Sequence, residues 1–117
     1  MHELSIGRAV LDGASRHAGG RRVVLVSVSI GALRQVVPDS LAFDFEILSR
    51  GTICDGARLE IAFVRARLGC SCGREWEPAE PAFRCPRCGS GQVIVLAGDQ
   101  LSIDSIEVEE VQCTAPR

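Results

Sequence analysis

The sequence contains no lysine, no asparagine and no tyrosine, and its 117 residues include only one tryptophan and four phenylalanines. All thirteen basic residues are arginines; with fifteen acidic residues they give a formal net charge of −2 and a pI near 5.7. Proteins that bind nucleic acids by neutralising phosphates usually carry a basic surplus, and single-strand binders add stacking aromatic side chains. The composition therefore argues against a nucleic-acid-binding protein.

Histidines and long apolar segments are also scarce. The only histidines are His2 and His17, and the sequence indicates no cysteine–histidine pair for a nucleophilic enzyme. The longest apolar stretch, residues 23–33, contains two serines and a glycine and is too short to cross a membrane. The first residues lack the basic and apolar segments of a signal peptide. We therefore expect a cytoplasmic protein whose thiols stay reduced, with no membrane partner.

Apolar residues at helical spacing predict two helices. The first covers residues 3 to about 18 and is ended by two glycines, and the second begins at Pro38 and ends at Gly51. The residues that recur at this spacing are Leu4, Leu11, Ala14 and Ala18 in the first helix, and Leu41, Phe45 and Leu48 in the second.

Alternating or β-branched apolar runs predict strands over residues 22–30, 58–66, 93–96 and 101–111. In the last run the apolar phase changes between Ile103 and Ile106. Because neighbouring residues of a strand point to opposite faces, this change predicts a β-bulge near Asp104 and Ser105.

Four of the six cysteines form two closely spaced pairs in the pattern C-x-C-x12-C-x2-C: Cys70, Cys72, Cys85 and Cys88. The second pair lies in Cys-Pro-Arg-Cys-Gly, a turn that aims two sulfur atoms at one point. Two such turns close a tetrahedral S4 site of the kind that holds structural Zn²⁺ and has no open position for catalysis. Two disulfides and a rubredoxin-like iron site are the alternatives. Of the other two cysteines, we expect Cys54 to be a packed thiol and Cys113 to lie in a frayed tail.

Together these patterns predict an α+β fold: a sheet of about three strands with two helices, plus an inserted zinc-ribbon-like module with four cysteines. We assign residues 1-66 plus 99-117 to the α/β body and residues 67-98 to the zinc-binding module.

The amino terminus also has the chemistry of a metal chelate. Methionine removal normally requires a small second residue, so Met1 should be retained before His2. The α-amine of Met1 and the amide and imidazole nitrogens of His2 can form adjacent five- and six-membered chelate rings, and Glu3 can add its amide or its carboxylate. Nitrogen-rich tetragonal sites suit Ni(II) or Cu(II). Chain ends are commonly disordered, and an isolated histidine there often has no function.

Several segments in this order resemble the HypA family of nickel metallochaperones, along nearly the whole chain. They are Met1-His2-Glu3-Leu4-Ser5-Ile6, Val37-Pro38-Asp39, Gly51-Thr52, Leu59-Glu60-Ile61, the Cys-Pro-x-Cys-Gly turn, Gly98-Asp99-Gln100-Leu101 and Ile106-Glu107-Val108. The starting motif and the four-cysteine module are the specific part of the resemblance.

The resemblance implies a nickel-binding body built around His2, the essential ligand, with Glu3 beside it. It also implies a zinc site that maps to the four paired cysteines. Family members pass Ni(II) to the [NiFe]-hydrogenase large subunit together with the GTPase HypB, and in some bacteria they also supply urease with its accessory proteins. They are not enzymes. A monomer and a homodimer both fit the sequence.

The chain departs from the family pattern at the first cysteine pair. Family members usually have C-x2-C there, which would put the first ligand at Gly69, and we expect Cys70 to replace it. The alternative function is a zinc-ribbon module that binds proteins or nucleic acids, and the acidic pI and the absence of lysine argue against nucleic acid.

Overall fold

The computed structural model describes residues 2–79 and 83–110, so Met1 and Cys113 lie outside the described residues. The elements in chain order are α1 (His2–His17), β1 (Val23–Gly31), a short 3-10 helix (Ala32–Arg34), α2 (Pro38–Ser49), β2 (Arg58–Val64), β3 (Arg67–Cys70), β4 (Glu75–Trp76), β5 (Val93–Ala97) and β6 (Leu101–Val108). The two predicted helices and the predicted strands are confirmed, with ends that differ by up to three residues. β3 and β4 were not predicted.

The strands form two three-stranded sheets, one in the order β2-β1-β6 and the other in the order β4-β3-β5. In the second sheet β3 pairs antiparallel with both neighbours, so that Leu68 faces Trp76 across one ladder and Cys70 faces Val93 across the other. The predicted α+β class is therefore confirmed, with a second small sheet around the cysteines.

The described residues form two compact units. The helical unit contains residues 2–28, 36–61 and 103–110. The cysteine unit contains residues 29–35, 62–79 and 83–102. Each unit is built around its own buried residues.

The core of the helical unit lies where α1 packs against α2. Gly7 of α1 lies against Leu48 and the backbone of Phe45, so a small residue there lets the helices approach closely. The fully buried apolar side chains of α2 are Leu41 and Phe45, and Ser49 at its end is also buried. Pro38 opens this helix, where its missing N–H costs no helix hydrogen bond.

The core of the cysteine unit is small. Leu68 of β3 is fully buried between β4 and β5, and Ile30, Ala66, Cys70 and Cys85 are the other buried side chains. A core of this size supplies little apolar burial, so a bound metal ion is expected to add much of the stability of this unit.

The phase change in β6 is confirmed. Its half-buried residues are Leu101 and Ile103 before the change and Ile106 and Val108 after it, while both residues between them are exposed. The bulge itself stays a prediction.

Candidate metal centre

Four cysteine thiols meet in the cysteine unit, and these are the four that the sequence predicts: Cys70, Cys72, Cys85 and Cys88. Their sulfur atoms all lie within 4.8 Å of one another, with 3.6 Å between Cys70 and Cys88 and 3.7 Å between Cys72 and Cys85. Sulfur atoms at the corners of a tetrahedron with Zn–S bonds of about 2.3 Å lie about 3.8 Å apart. The four thiols are free, and their spacing fits one tetrahedral Zn²⁺ rather than two disulfides.

The first cysteine pair lies in the turn that joins β3 to β4. The N–H of Cys70 donates to the carbonyl oxygen of Arg74 at 2.9 Å, and the N–H of Gly73 donates to the carbonyl oxygen of Cys70 at 2.9 Å. Gly73 has a φ of +95°, a conformation that L side chains rarely adopt. These bonds close a tight turn in which the sulfur atoms of Cys70 and Cys72 both reach the cluster.

The second pair lies in a similar turn. The N–H of Cys85 donates to the carbonyl oxygen of Ser90 at 3.0 Å, and the N–H of Gly89 donates to the carbonyl oxygen of Cys85 at 2.9 Å. The N–H of Arg87 points at the sulfur of Cys85 at 3.4 Å. Backbone donors of this kind stabilise a thiolate ligand, as the sequence predicts for a Cys-Pro-x-Cys-Gly turn.

One cysteine of each pair is buried and the other is exposed. Cys70 and Cys85 are buried, whereas Cys72 and Cys88 face solvent. The four sulfurs would fill all positions of a tetrahedral ion and leave none for a substrate. This arrangement is that of a structural site with one solvent-facing side.

The turn hydrogen bonds favour the thiolate form of Cys85. Burial raises the pKa of its thiol, but hydrogen bonds from the backbone N–H groups of Cys88 and Arg87 and from the thiols of Cys88 and Cys72 outweigh burial and lower the pKa to about 6. In the metal-free protein at neutral pH, Cys85 is therefore a thiolate.

At Cys88 the surroundings raise the pKa of the thiol instead of lowering it. The backbone N–H of Ser90 lowers its pKa, but the neighbouring sulfur atoms of Cys70, Cys85 and Cys72, together with burial, raise the pKa to about 11. The metal-free cluster thus keeps a proton on Cys88 at neutral pH, and a bound cation must displace it.

The affinity for zinc is therefore expected to decrease as the pH is lowered. Because Zn²⁺ needs four thiolates, the proton on Cys88 competes with it at every pH below about 11, so each unit of acidification costs at least about tenfold in affinity. Below about pH 6 Cys85 also takes up a proton. The zinc affinity then falls about tenfold more steeply for each pH unit. Competition with a chelator of known protonation, from about pH 5 to about pH 8, measures this slope. A slope that does not change near pH 6 would contradict the role of Cys85.

The predicted nickel ligands lie at the start of α1. Met1 lies outside the described residues, and the backbone of His2 begins the helix. The carboxylate of Glu3 accepts a hydrogen bond from the N–H of Val37 at 3.2 Å, immediately before α2. No pattern in the sequence predicted this bond, although Val37 belongs to a segment of the family resemblance.

Cys54 and His17 lie outside the cluster, and their contacts fit structural roles. Cys54 is fully buried, and its sulfur lies 3.9 Å from the hydroxyl of Ser15. Burial raises the pKa of Cys54, partly offset by the bond to Ser15, and the expected packed thiol is confirmed. The Nδ1 atom of His17 lies 2.8 Å from the carbonyl oxygen of Gly13, where it caps the end of α1.

No helix among the described residues is long and apolar enough to span a membrane.

Known proteins match this chain along nearly its whole length. The protein family described as "Hydrogenase/urease nickel incorporation, metallochaperone, hypA" matches residues 1–108. The chain is 43% identical over 110 residues to "Hydrogenase maturation factor HypA" of Geobacter metallireducens, a match that covers 93% of this chain and 100% of the relative. A protein of the same description from Geotalea uraniireducens is 44% identical with the same coverage.

Two solved structures are similar in fold. "Solution structure of HypA protein" superposes with a TM-score of 0.66 at 24% identity, covering 93% of this chain and 97% of the other. The Ni metallochaperone HypA from Helicobacter pylori superposes with a TM-score of 0.62 at 22% identity, covering 91% of this chain and 96% of the other. The match over residues 1–108 and the near-complete coverage of these relatives show that the chain belongs to the HypA family.

Proposed function

We propose that this protein is a nickel metallochaperone that binds Ni(II) at its amino terminus and delivers it during the maturation of [NiFe]-hydrogenase. The observation that carries the proposal is the family match over residues 1–108, which includes both the starting motif and the four cysteines. The resident metal is Zn²⁺, held by the four-cysteine cluster, and Ni(II) is the cargo.

The nickel site that we propose uses the α-amine of Met1, the amide and imidazole nitrogens of His2, and Glu3. The start of α1 at His2 supports it, because N–H groups of the first helical turn have no acceptor within the helix. Deprotonation of the His2 amide would then break no helix hydrogen bond. A chelate at a chain end can also open one ligand at a time, which suits a carrier that must release its cargo.

Glu3 can contribute its amide nitrogen without losing the contact between its carboxylate and Val37. Ligation through the carboxylate would instead compete with the N–H of Val37. Through this bond, Glu3 connects the nickel end of α1 with the start of α2.

We further propose that the protein works with the hydrogenase large subunit and the GTPase HypB, and in some bacteria with urease accessory proteins, without catalysing a reaction itself. A tetrahedral zinc with four cysteine ligands has no position for a substrate, which supports a non-enzymatic role. Thiolate ligands must stay reduced, and for this reason we propose that it acts in the cytoplasm.

The first test is the metal content of untagged protein, measured by mass spectrometry before and after dialysis against Ni(II). We expect one tightly held zinc per chain, and one added nickel that survives removal of free metal. Zinc without specific nickel uptake would overturn the nickel function and favour a zinc-ribbon interaction module.

A further inference from the structure

An open cleft of about 450 Å³ lies within the cysteine unit, beside the metal centre. Its lining includes Arg74, Trp76, Glu77, Pro78, Arg84 and Pro86. The volume lies in the range of small ligand sites, and nickel binding at the amino terminus makes no use of it.

Residues next to both cysteine turns line this cleft. Arg74 follows the first turn, and its carbonyl oxygen accepts the N–H of Cys70. Arg84 and Pro86 flank Cys85 in the second turn. A metal ion that joins Cys70 and Cys85 therefore holds the two turns together, and with them the residues that line the cleft.

The apolar part of the cleft combines an indole with proline rings. Trp76 is half-buried and pairs with the fully buried Leu68 across the β3–β4 ladder, which fixes its backbone. Pro78 and Pro86 also line the cleft. Grooves lined by aromatic side chains accommodate extended, proline-containing peptides.

The charged part of the cleft has a surplus of guanidinium groups. Glu77 lies 3.6 Å from Arg65 and Glu75 lies 3.0 Å from Arg67, so two nearby carboxylates already have partners. Within the described ranges, Arg74 and Arg84 make no ion pair, and Arg84 donates only to the carbonyl oxygen of Gly89 at 2.8 Å. Two cations beside an apolar wall are complementary to a carboxylate beside an apolar side chain.

We propose that this cleft is a docking site for an extended segment of a partner protein in which an acidic side chain lies next to proline or an aliphatic residue. The carboxylate would pair with the guanidinium groups of Arg74 and Arg84, and the apolar neighbour would pack between Trp76 and the prolines. The zinc site then has a second role, since it maintains a recognition surface. The residues of this surface are far along the chain from the proposed nickel ligands.

A peptide is favoured over a nucleic acid. A nucleic-acid strand presents successive phosphates and needs a basic track, whereas this cleft offers two guanidinium groups near the acidic Glu75 and Glu77. The net charge of the whole chain, −2, also opposes a polyanion.

Trp76 is the only tryptophan, so its fluorescence reports on the cleft directly. Zinc-loaded full-length protein is titrated with a Pro-Pro-Glu-Leu-Pro peptide blocked at both ends, and with the same peptide carrying Gln in place of Glu. We expect a saturable change with the first peptide and binding about tenfold weaker with the second, as for the loss of one charge-assisted contact.

Variants of the arginines test whether the peptide binds in the cleft. Arg84→Gln and Arg74→Gln are each expected to weaken the Glu peptide about tenfold while leaving zinc and nickel contents unchanged. Arg87→Gln is the matched control, since Arg87 lies in the same turn but does not line the cleft, and it is expected to bind normally. Metal-free protein is expected to lose the response.

Four outcomes would overturn the proposal. They are no saturable change with the Glu peptide, equal binding of the Glu and Gln peptides, a loss in Arg87→Gln equal to that in Arg84→Gln, and tighter binding of a single-stranded oligonucleotide with a strong salt dependence. Sedimentation at increasing protein concentration completes the test, because self-association that blocks the peptide would identify a second copy of this chain as the occupant.

Nickel content is measured in parallel, so a failed docking site is distinguishable from a failed nickel function.

Discussion

Replacing His2 is expected to abolish specific nickel binding while zinc content and fold stay unchanged. In the proposed chelate, His2 supplies both an amide nitrogen and an imidazole nitrogen, so its loss removes one closed ring. Mutation of groups that only orient metal ligands typically costs 10–100-fold in affinity, and loss of a ligand is expected to cost more than about 100-fold. Calorimetry of Ni(II) binding to the zinc-loaded protein measures the change.

The choice of substitution matters at this position. His2→Ala places a small residue after Met1 and so invites removal of the methionine, which changes the α-amine as well as the imidazole. His2→Gln keeps a large second residue, so the effect of the imidazole is measured with Met1 in place. His17→Gln is the control for the loss of a histidine. Because His17 caps the end of α1, this substitution is expected to leave nickel binding unchanged.

A short extension before Met1 tests the α-amine by itself. We expect it to weaken nickel binding, since the amine becomes an amide. Undiminished affinity in both His2→Gln and the extended protein would disprove the amino-terminal site and direct attention to other ligands.

Replacing Cys85 is expected to have the largest effect on the cysteine unit. Cys85→Ser removes a buried thiolate ligand, and structural zinc contributes an apparent 10–16 kcal/mol to the folding of small zinc domains near pH 7. We therefore expect loss of the bound zinc and unfolding of the cysteine unit, while α1 and α2, which belong to the helical unit, keep their helical circular dichroism.

Cys54→Ser provides a matched control for this experiment. Cys54 is as buried as Cys85 but belongs to the helical unit and lies outside the cluster. We expect it to retain one zinc per chain and to lower the free energy of unfolding by about 1–3 kcal/mol, the cost of burying a hydroxyl without full compensation. Full zinc retention in Cys85→Ser, or zinc loss in Cys54→Ser, would contradict the assignment of the ligands.

The helices and most strands could be predicted because their signals are local. Proline at the start of α2 and glycines after α1 act through backbone geometry, and apolar spacing over residues 38–49 matches the period of a helix. The half-buried and exposed residues of β6 likewise follow the alternation in the sequence, including its change of phase.

β3 and β4 could not be predicted in this way. β3 has four residues and β4 has two, too few to establish an alternating pattern, and three consecutive residues of β3 are buried. The pairing of β3 with β5 also shifts register between Arg67 and Leu68. Burial on both faces of a short strand depends on the cysteine turns and on β5, where the partner of Arg67 is Ala97, far away in sequence.

The sequence by itself determined the four cysteines and the α+β class, and it is the basis for the proposed chelating residues at the amino terminus, because residue chemistry and short-range spacing are sufficient for each of these. Only the tertiary structure decided that the four sulfurs converge within 4.8 Å, that one cysteine of each pair is buried, and that Glu3 bonds to Val37. The same holds for the cleft between Trp76 and Arg84. These features join residues that are distant along the chain, and their separations depend on strand pairing and packing rather than on any local preference of the residues involved.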